Sequence, residues 1–286
     1  MLDLDSLEIF RAVVSEGGII RAARKLHRVQ SNVTTRVRQL EERLGVALFR
    51  RQGRSLVLSP EGQLLVQYAD RLFRLADEAQ SALQAGQPRG VFRLGSLEST
   101  AGSRLPAVLS RYHLAFPAVT VELVTGTTAA LVHKVVNYEL EAAFVSEPFT
   151  APELSSRPLF NEELVLITAH GHPKITKPAD LRGATLIAFA SGCSYRKCFE
   201  DWLGRARVMP GRVLEFASYQ AMIACVSAGT GVAIVPRSLL AALKATDDVQ
   251  MHELPLRLKR NRTHLVWRGV PSVALAGLMD LPMAWM

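Results

Sequence analysis

VQSNVTTRVRQLEERLG, residues 29–45, gathers Gln, Ser, Asn and Thr at the start of a stretch whose aliphatic residues recur at helical spacing. Val33, Val37, Leu40 and Leu44 fall at i, i+4, i+7 and i+11, which makes them one buried stripe of a helix. Gln30, Ser31, Asn32, Thr34, Thr35, Arg36 and Arg38 lie at its start or on its other sides. Short amides, hydroxyls and guanidinium groups are the side chains that reach base edges and phosphates in a major groove. Taken alone, such a helix is more simply a solvated one capped by Ser31. The residues around it change the reading.

Upstream, Asp5 with Glu8 three positions on has the form of a capping box, and Leu7, Phe10 and Val14 continue a helix to about Glu16, where Gly17 and Gly18 stop it. IIRAARKLH, residues 19–27, gives a short second helix with Ile20, Ala23 and Leu26 turned inward, followed by a turn around residues 27–30. Two helices, a turn and a third helix with a polar, basic leading end describe a helix-turn-helix. Downstream, VALFRRQGRSLVLSPEG, residues 46–62, reads as two short strands about a Gln-Gly-Arg turn, a wing with Arg50, Arg51 and Arg54 at its tip. Ser59-Pro60 then starts a helix that runs without a breaker to about Ala85. Its Leu65, Tyr68, Leu72, Leu75, Ala79 and Ala82 alternate steps of three and four, an apolar seam suited to pairing with a second helix.

Charge is distributed to match. Residues 21–54 hold ten Lys and Arg against Glu41 and Glu42, a local excess of +8 that equals the net charge of the whole 286-residue chain. A concentrated basic segment suits a polyanionic partner, whereas the balanced remainder does not. MLDLDSLEIF lacks the basic residues of a signal peptide, and no stretch is apolar enough to span a bilayer, so a cytoplasmic protein without membrane association is expected. Cys193, Cys198 and Cys225 form no CxxC pair, so reduced thiols are expected.

The segment from Leu7 to Gly62 resembles the N-terminal module of LysR-type transcriptional regulators. The resemblance rests on Ala22-Ala23, Gln30, Leu40-Glu41, Leu44-Gly45, Leu48-Phe49 and the LSPEG junction at residues 58–62. Thr35 stands where that family usually has Arg, and Arg36 where it often has Gln, which bears on the operator sequence and not on the fold. The resemblance implies a bacterial regulator that binds double-stranded promoter DNA, pairs as a homodimer through the long helix, and joins into a homotetramer that bends DNA.

Strand and helix patterns alternate through the remaining residues. GVFRLGSLEST (90–100), VTVELVTG (119–126) and EAAFVSEP (141–148) read as strands, with helices near residues 104–115 and 127–140 between them. Parallel strand-helix-strand units gather ligand groups at the carboxyl ends of strands. Ser99, Thr100, Thr127, Thr128 and Glu147 are therefore expected at one crevice. A second unit begins after Pro158, and ASGCSYRKCFEDWL (190–203) places Cys193, Ser194 and Tyr195 opposite, with Tyr219 at the start of a further helix. THLVWRG (263–269) is expected to close the second sheet and the tail from Pro271 to return as a helix. AHGHP (169–173) and VSAGTGVAIVPRSL (226–239) are also similar to the LysR family, which implies a periplasmic-binding-protein-like effector domain of two subdomains.

The expected organisation is a winged helix-turn-helix at 1–58, a linker and dimerisation helix at 59–86, a hinge at 87–90, effector subdomain I at 91–161 and 269–286, and subdomain II at 162–268. A small polar co-inducer is expected in the cleft. Arg196 and the helix ends favour an anion or zwitterion, while Glu98 and Glu147 favour an amine. No cofactor, metal or catalytic residue is expected. His170 and His172 form an HxH pair beside a proline without a third ligand, and the sequence shows no nucleophile elbow and no phosphate-binding or dinucleotide motif. Cys193 and Cys198 leave a thiol sensor open. The alternative class is a solute-binding protein or enzyme whose winged module serves oligomerisation.

Overall fold

The computed structural model describes residues 2–52, 55–83 and 88–281, and the chain divides into two units, residues 1–85 and 86–286. In the first, α1 (Leu4–Ser15), α2 (Ile19–Lys25) and α3 (Gln30–Leu44) pack against one another, followed by β1 (Phe49–Gln52), β2 (Ser55–Leu58) and α4 (Pro60–Leu83). The cap of α1 differs from the expected one. Asp3 accepts from the Ser6 amide at 2.8 Å, and Asp5 instead receives Arg28 at 2.5 Å, so this acid ties α1 to the turn after α2. In α2 the inward pair is Ala22 and Ala23, while Ile20 is exposed. Seven residues make too few turns to fix a helical phase from spacing alone.

Val33, Val37 and Leu40 of α3 are buried as the stripe requires, Val37 and Val33 against Ile9 and Val13 and Leu40 against Leu7 and Phe10. The helix is capped at Val29 without a side-chain bond, not by Ser31, and stops at Gly45, whose φ of 69° permits the Val46 amide to reach the Glu41 carbonyl. The Glu41 carboxylate accepts from the Leu48 amide at 2.7 Å and from the Phe49 amide at 3.2 Å, holding the antiparallel wing strands β1 and β2 to α3. Ser59 caps α4 by accepting from the Gly62 amide at 2.9 Å.

In the second unit β3 (Gly90–Leu97), α5 (Glu98–Ser103), α6 (Leu105–Ala115), β4 (Val119–Gly126), α7 (Thr128–Val136) and β5 (Ala142–Ser146) build a parallel β4-β3-β5 core. The long strand β6 (Ser155–Thr168) follows, then β7 (Thr185–Phe189), α8 (Ser194–Arg205), β8 (Arg212–Phe216), α9 (Tyr219–Ser227), β9 (Ala233–Pro236), α10 (Arg237–Ala242), β10 (Gln250–His252), α11 (Leu256–Lys259), β11 (Arg260–Trp267) and α12 (Val273–Asp280). The first half of β6 pairs with β11, and its second half pairs with β9 and β10, so one continuous strand passes from one lobe into the other.

The expected place of residues 263–269 is corrected by the register. β11 lies between β5 and β6, with Leu265 opposite Phe144, and thus belongs to the first lobe. The chain therefore returns ahead of Arg260 and not at residue 269: Leu265 and Val266, buried on successive positions, need cover on both faces, which either sheet could give, and the choice falls to pairing with β5 and β6. α12 then closes that lobe. Leu275 and Leu278 pack with Leu105, Val108 and Tyr112, and the Tyr112 hydroxyl donates to the Ala274 carbonyl at 2.9 Å.

His252 in β10 is a buried structural imidazole. The Ile175 amide donates to its Nδ1 at 3.1 Å, so its other nitrogen carries the proton and donates to Thr168 Oγ1 at 2.9 Å. Burial, with lesser contributions from His172 and Lys174, lowers its pKa below the ordinary 6.5. Below 6.5 the unfolded chain takes up a proton that the folded chain refuses. Stability from His252 is accordingly full above that pH and falls as pH drops towards the depressed folded value. Urea unfolding on either side of pH 6.5 should show a smaller acid loss for His252→Gln than for the parent. An equal acid loss in both would remove His252 as the cause.

Candidate DNA interface and effector crevice

The leading half of α3 is an open polar surface. Gln30, Ser31, Asn32, Thr34, Thr35 and Arg38 are all exposed, and with no side chain capping the helix its first amides are left for an outside acceptor. The basic segment is partly neutralised within its own unit. Arg36 reaches Asp5 at 3.7 Å, Arg43 pairs with Asp3 at 2.7 Å, and Arg38 pairs with Glu42 at 2.9 Å along the helix face. The Ser6 amide and Arg43 together hold Asp3 down to a pKa of about 2, keeping this pair ionised throughout the physiological range. Arg50 lies 3.9 Å from Glu61, and Arg51 carries no ion pair among the described residues. Arg54 lies outside the described residues.

On α4, Leu65 turns into the core with Ala69. Leu64, Tyr68, Leu72 and Leu75 are exposed on a helix 24 residues long. At 1.5 Å per residue that helix extends about 36 Å. Most of the expected seam is thus uncovered in the single chain; the Ala82 side chain lies outside what is described.

In the second unit a narrow crevice opens at the carboxyl ends of β3, β4 and β5 on one side and of β7 on the other. Thr127, Cys193, Ser194, Tyr195 and Tyr219 line it, as the strand-end rule requires. Ser99, Thr100, Thr128 and Glu147 do not. Ser99 and Thr100 are buried in α5. Thr128 Oγ1 is engaged with the Ser146 backbone, accepting its amide at 3.2 Å. Glu147 turns away to His264 at 2.8 Å, because β11 runs beside β5 and brings that imidazole to it.

Leu97, Glu98, Gly126, Ser146 and Phe189 complete the lining. Leu97, Gly126, Ser146 and Phe189 are each the last residue of a strand; the strand-end rule reaches Ser146 as it reached Thr127, and finds Leu97, Gly126 and Phe189 once it is applied to residues without a polar side chain. The two sides meet closely. The Gly192 carbonyl accepts from the Ala129 amide at 3.3 Å, and a Cβ on Gly192 would stand 2.9 Å from Thr127 Oγ1. Ser194 Oγ crosses the crevice to the Ser146 carbonyl at 2.8 Å.

The charges around the crevice are partly spoken for. Arg196 is paired with Glu200 at 2.7 Å and Glu215 at 2.6 Å and donates to the Phe189 carbonyl at 3.0 Å. Glu98 is the one ionisable carboxylate on the wall, and no Lys, Arg or His stands beside it there. It accepts from the Tyr219 amide at 2.9 Å, yet burial outweighs that bond and raises its pKa. Cys193 Sγ lies 3.8 Å from the Tyr219 hydroxyl. Burial raises the Cys193 and Cys198 thiols, opposite to the direction a reactive thiolate requires, so neither has the environment of a sensor. His170 and His172 are each tied to a backbone carbonyl, of Asp247 and Pro173.

A basic helix-turn-helix with a wing, followed by a two-lobed domain with a crevice at its strand ends, defines a DNA-binding regulator that responds to a small molecule. Comparison with known proteins assigns it further. The family model described as LysR substrate binding domain matches residues 85–275, and that of the bacterial regulatory helix-turn-helix protein, lysR family, matches residues 4–63. The HTH-type transcriptional regulator GltR of Bacillus subtilis is 37% identical over 254 residues, covering 88% of this chain and 86% of that protein. The uncharacterized HTH-type transcriptional regulator YusT of the same organism is 37% identical over 98% of this chain and 95% of its own. In fold, the chain is similar to a full-length OxyR variant from Pseudomonas aeruginosa (TM-score 0.74, 20% identity, 98% of this chain and 95% of that one). It is also similar to full-length CbnR complexed with its target DNA (TM-score 0.71, 22% identity, 98% of each chain).

The chain belongs to the LysR family: it is a LysR-type transcriptional regulator with a DNA-binding helix-turn-helix and an effector-binding domain. No helix among the described residues is long and apolar enough to cross a membrane.

Proposed function

We propose that this regulator works in the cytoplasm as a homotetramer of homodimers paired through α4, binds promoter DNA at two sites and bends it, and catalyses no reaction. Gln30, Ser31, Asn32, Thr34, Thr35, Arg36 and Arg38 face the major groove, and Arg50, Arg51 and Arg54 hold flanking phosphates. The observation that carries this reading is the exposed, uncapped leading half of α3. The uncovered Leu64, Tyr68, Leu72 and Leu75 supply the dimer seam. The crevice lined by Thr127, Cys193, Ser194, Tyr195 and Tyr219 holds the effector. Its occupancy changes transcription only by differential affinity for the assemblies with open and closed lobes.

Footprinting on DNA upstream of the protein's own gene tests the interface. Protection should weaken steeply with salt, and the double change Arg50→Ala, Arg51→Ala should reduce the slope of log affinity against log salt by about 2, one for each phosphate contact removed. An unchanged slope would take the wing off the DNA, and protection absent at every ionic strength would sink the whole reading.

A further inference from the structure

The reading of the crevice as an effector site leaves open what chemistry it accepts, and the wall is informative. Its polar groups are hydroxyls, a thiol and the Glu98 carboxylate, and its only charge at neutral pH is negative. Arg196 is paired with Glu200 and Glu215 and donates to the Phe189 carbonyl at 3.0 Å, and Arg104 is paired with Glu162 at 2.8 Å, so neither guanidinium is itself part of the lining. The amino end of α9 already has its anion, since the Tyr219 amide donates to Glu98, while that of α8, at Cys193, has no side-chain cap. Glu98 is the one charged side chain an entering group would meet on the lining.

The Tyr195 hydroxyl is buried beside the Ser99 and Ser146 hydroxyls. The lining also holds Phe189 and Tyr219, whose rings stack with centroids 4.8 Å apart and an interplanar angle of 17°.

We infer that the effector is a small organic amine, its ammonium group held by Glu98 and its apolar or planar body laid against the Phe189–Tyr219 pair. A carboxylate has about four lone-pair sites, so one amide bond leaves Glu98 able to accept from an ammonium as well. An aromatic wall also attracts a cation electrostatically, which an anion would not share.

The inference rests on the crevice being the effector site, and the experiment separates the two. Isothermal titration of the full-length chain would use methylamine, isobutylamine and benzylamine, each beside the alcohol and the carboxylate of the same carbon skeleton. At least one amine should bind more tightly than its alcohol, and no carboxylate should bind. Glu98→Gln should weaken that amine by at least about tenfold, the factor equivalent to ~1.4 kcal/mol, while leaving the alcohol unchanged. Its unfolding temperature, matched to the parent, shows that the variant folds. A carboxylate that binds best, amine binding indifferent to Glu98→Gln, or no amine binding at millimolar concentration would overturn the amine assignment. Gly126→Trp, which fills the crevice, distinguishes the underlying reading: a carboxylate whose binding it abolishes overturns the charge class alone, whereas ligand binding that survives it removes the crevice as the site.

Discussion

Gly62→Ala should abolish DNA binding while leaving the effector-binding unit folded. A Cβ at this position would stand 2.2 Å from the Leu48 carbonyl oxygen and 2.8 Å from Leu58 Cδ2. The carbonyl cannot simply withdraw, because it accepts the Ser59 amide at 2.9 Å and thereby fixes the start of α4 beneath the wing. Overpacking a core typically costs ~1–3 kcal/mol, and the cost rises when the obstacle is backbone and not a side chain that can rotate. The loss falls on the junction where Leu48, Leu58 and Leu65 meet Phe10. Thermal unfolding followed by calorimetry should show the transition of the first unit lowered and that of the second unchanged, with footprinting lost in parallel. Gly45→Ala is the informative contrast. Its φ of 69° also disfavours a side chain, but a Cβ there meets nothing within 4 Å, so only the left-handed backbone penalty of ~1 kcal/mol applies. A loss from Gly62→Ala no larger than that from Gly45→Ala would remove the close approach to Leu48 as the reason for a glycine at position 62, whose backbone is ordinary helix.

How far the sequence revealed this molecule depended on whether the relevant contact was local. The α3 stripe, the wing turn and the Ser59-Pro60 start were legible because helical spacing and turn chemistry operate within a few residues. The Asp3 cap was missed because two acids, Asp3 and Asp5, stand close enough for either to serve, and the choice is made by Arg28, 23 residues from Asp5. Strand order was the harder problem. Nothing within residues 263–269 reveals that Leu265 will lie opposite Phe144, since an apolar strand is equally acceptable to either sheet. That one placement then misdirected the site: with β11 beside β5, Glu147 finds His264 and leaves the crevice. Arg196 shows the same limit for charge. Its position at a helix start was readable, but its partners, on α8 and on β8, were not.

Arg104→Ala should destabilise the second unit by ~3–5 kcal/mol, the cost of stranding a buried ion. Glu162 sits on β6 with its side chain only 3% exposed, accepting from Arg104 at 2.8 Å and from the Ser238 hydroxyl at 2.6 Å. Arg104 belongs to the first lobe, ahead of α6, and Ser238 to α10 of the second, so this carboxylate fastens the lobes together where β6 passes between them. The two ends of the ion pair are unequally placed, since the Arg104 side chain is 27% exposed and also lies over the Phe160 ring. Removing Glu162 leaves a guanidinium that can turn to water. Removing Arg104 leaves a carboxylate that cannot. Glu162→Leu should therefore cost less than Arg104→Ala, and the double change Arg104→Ala, Glu162→Leu should recover most of the loss by removing the stranded charge together with its partner. Denaturant unfolding of the four proteins measures the coupling. A double variant as unstable as the sum of its parts would show that the two side chains act independently. If the coupling is present, the clamp sets the lobe closure against which an effector must work, and Arg104→Ala should alter effector affinity without touching any residue of the crevice wall.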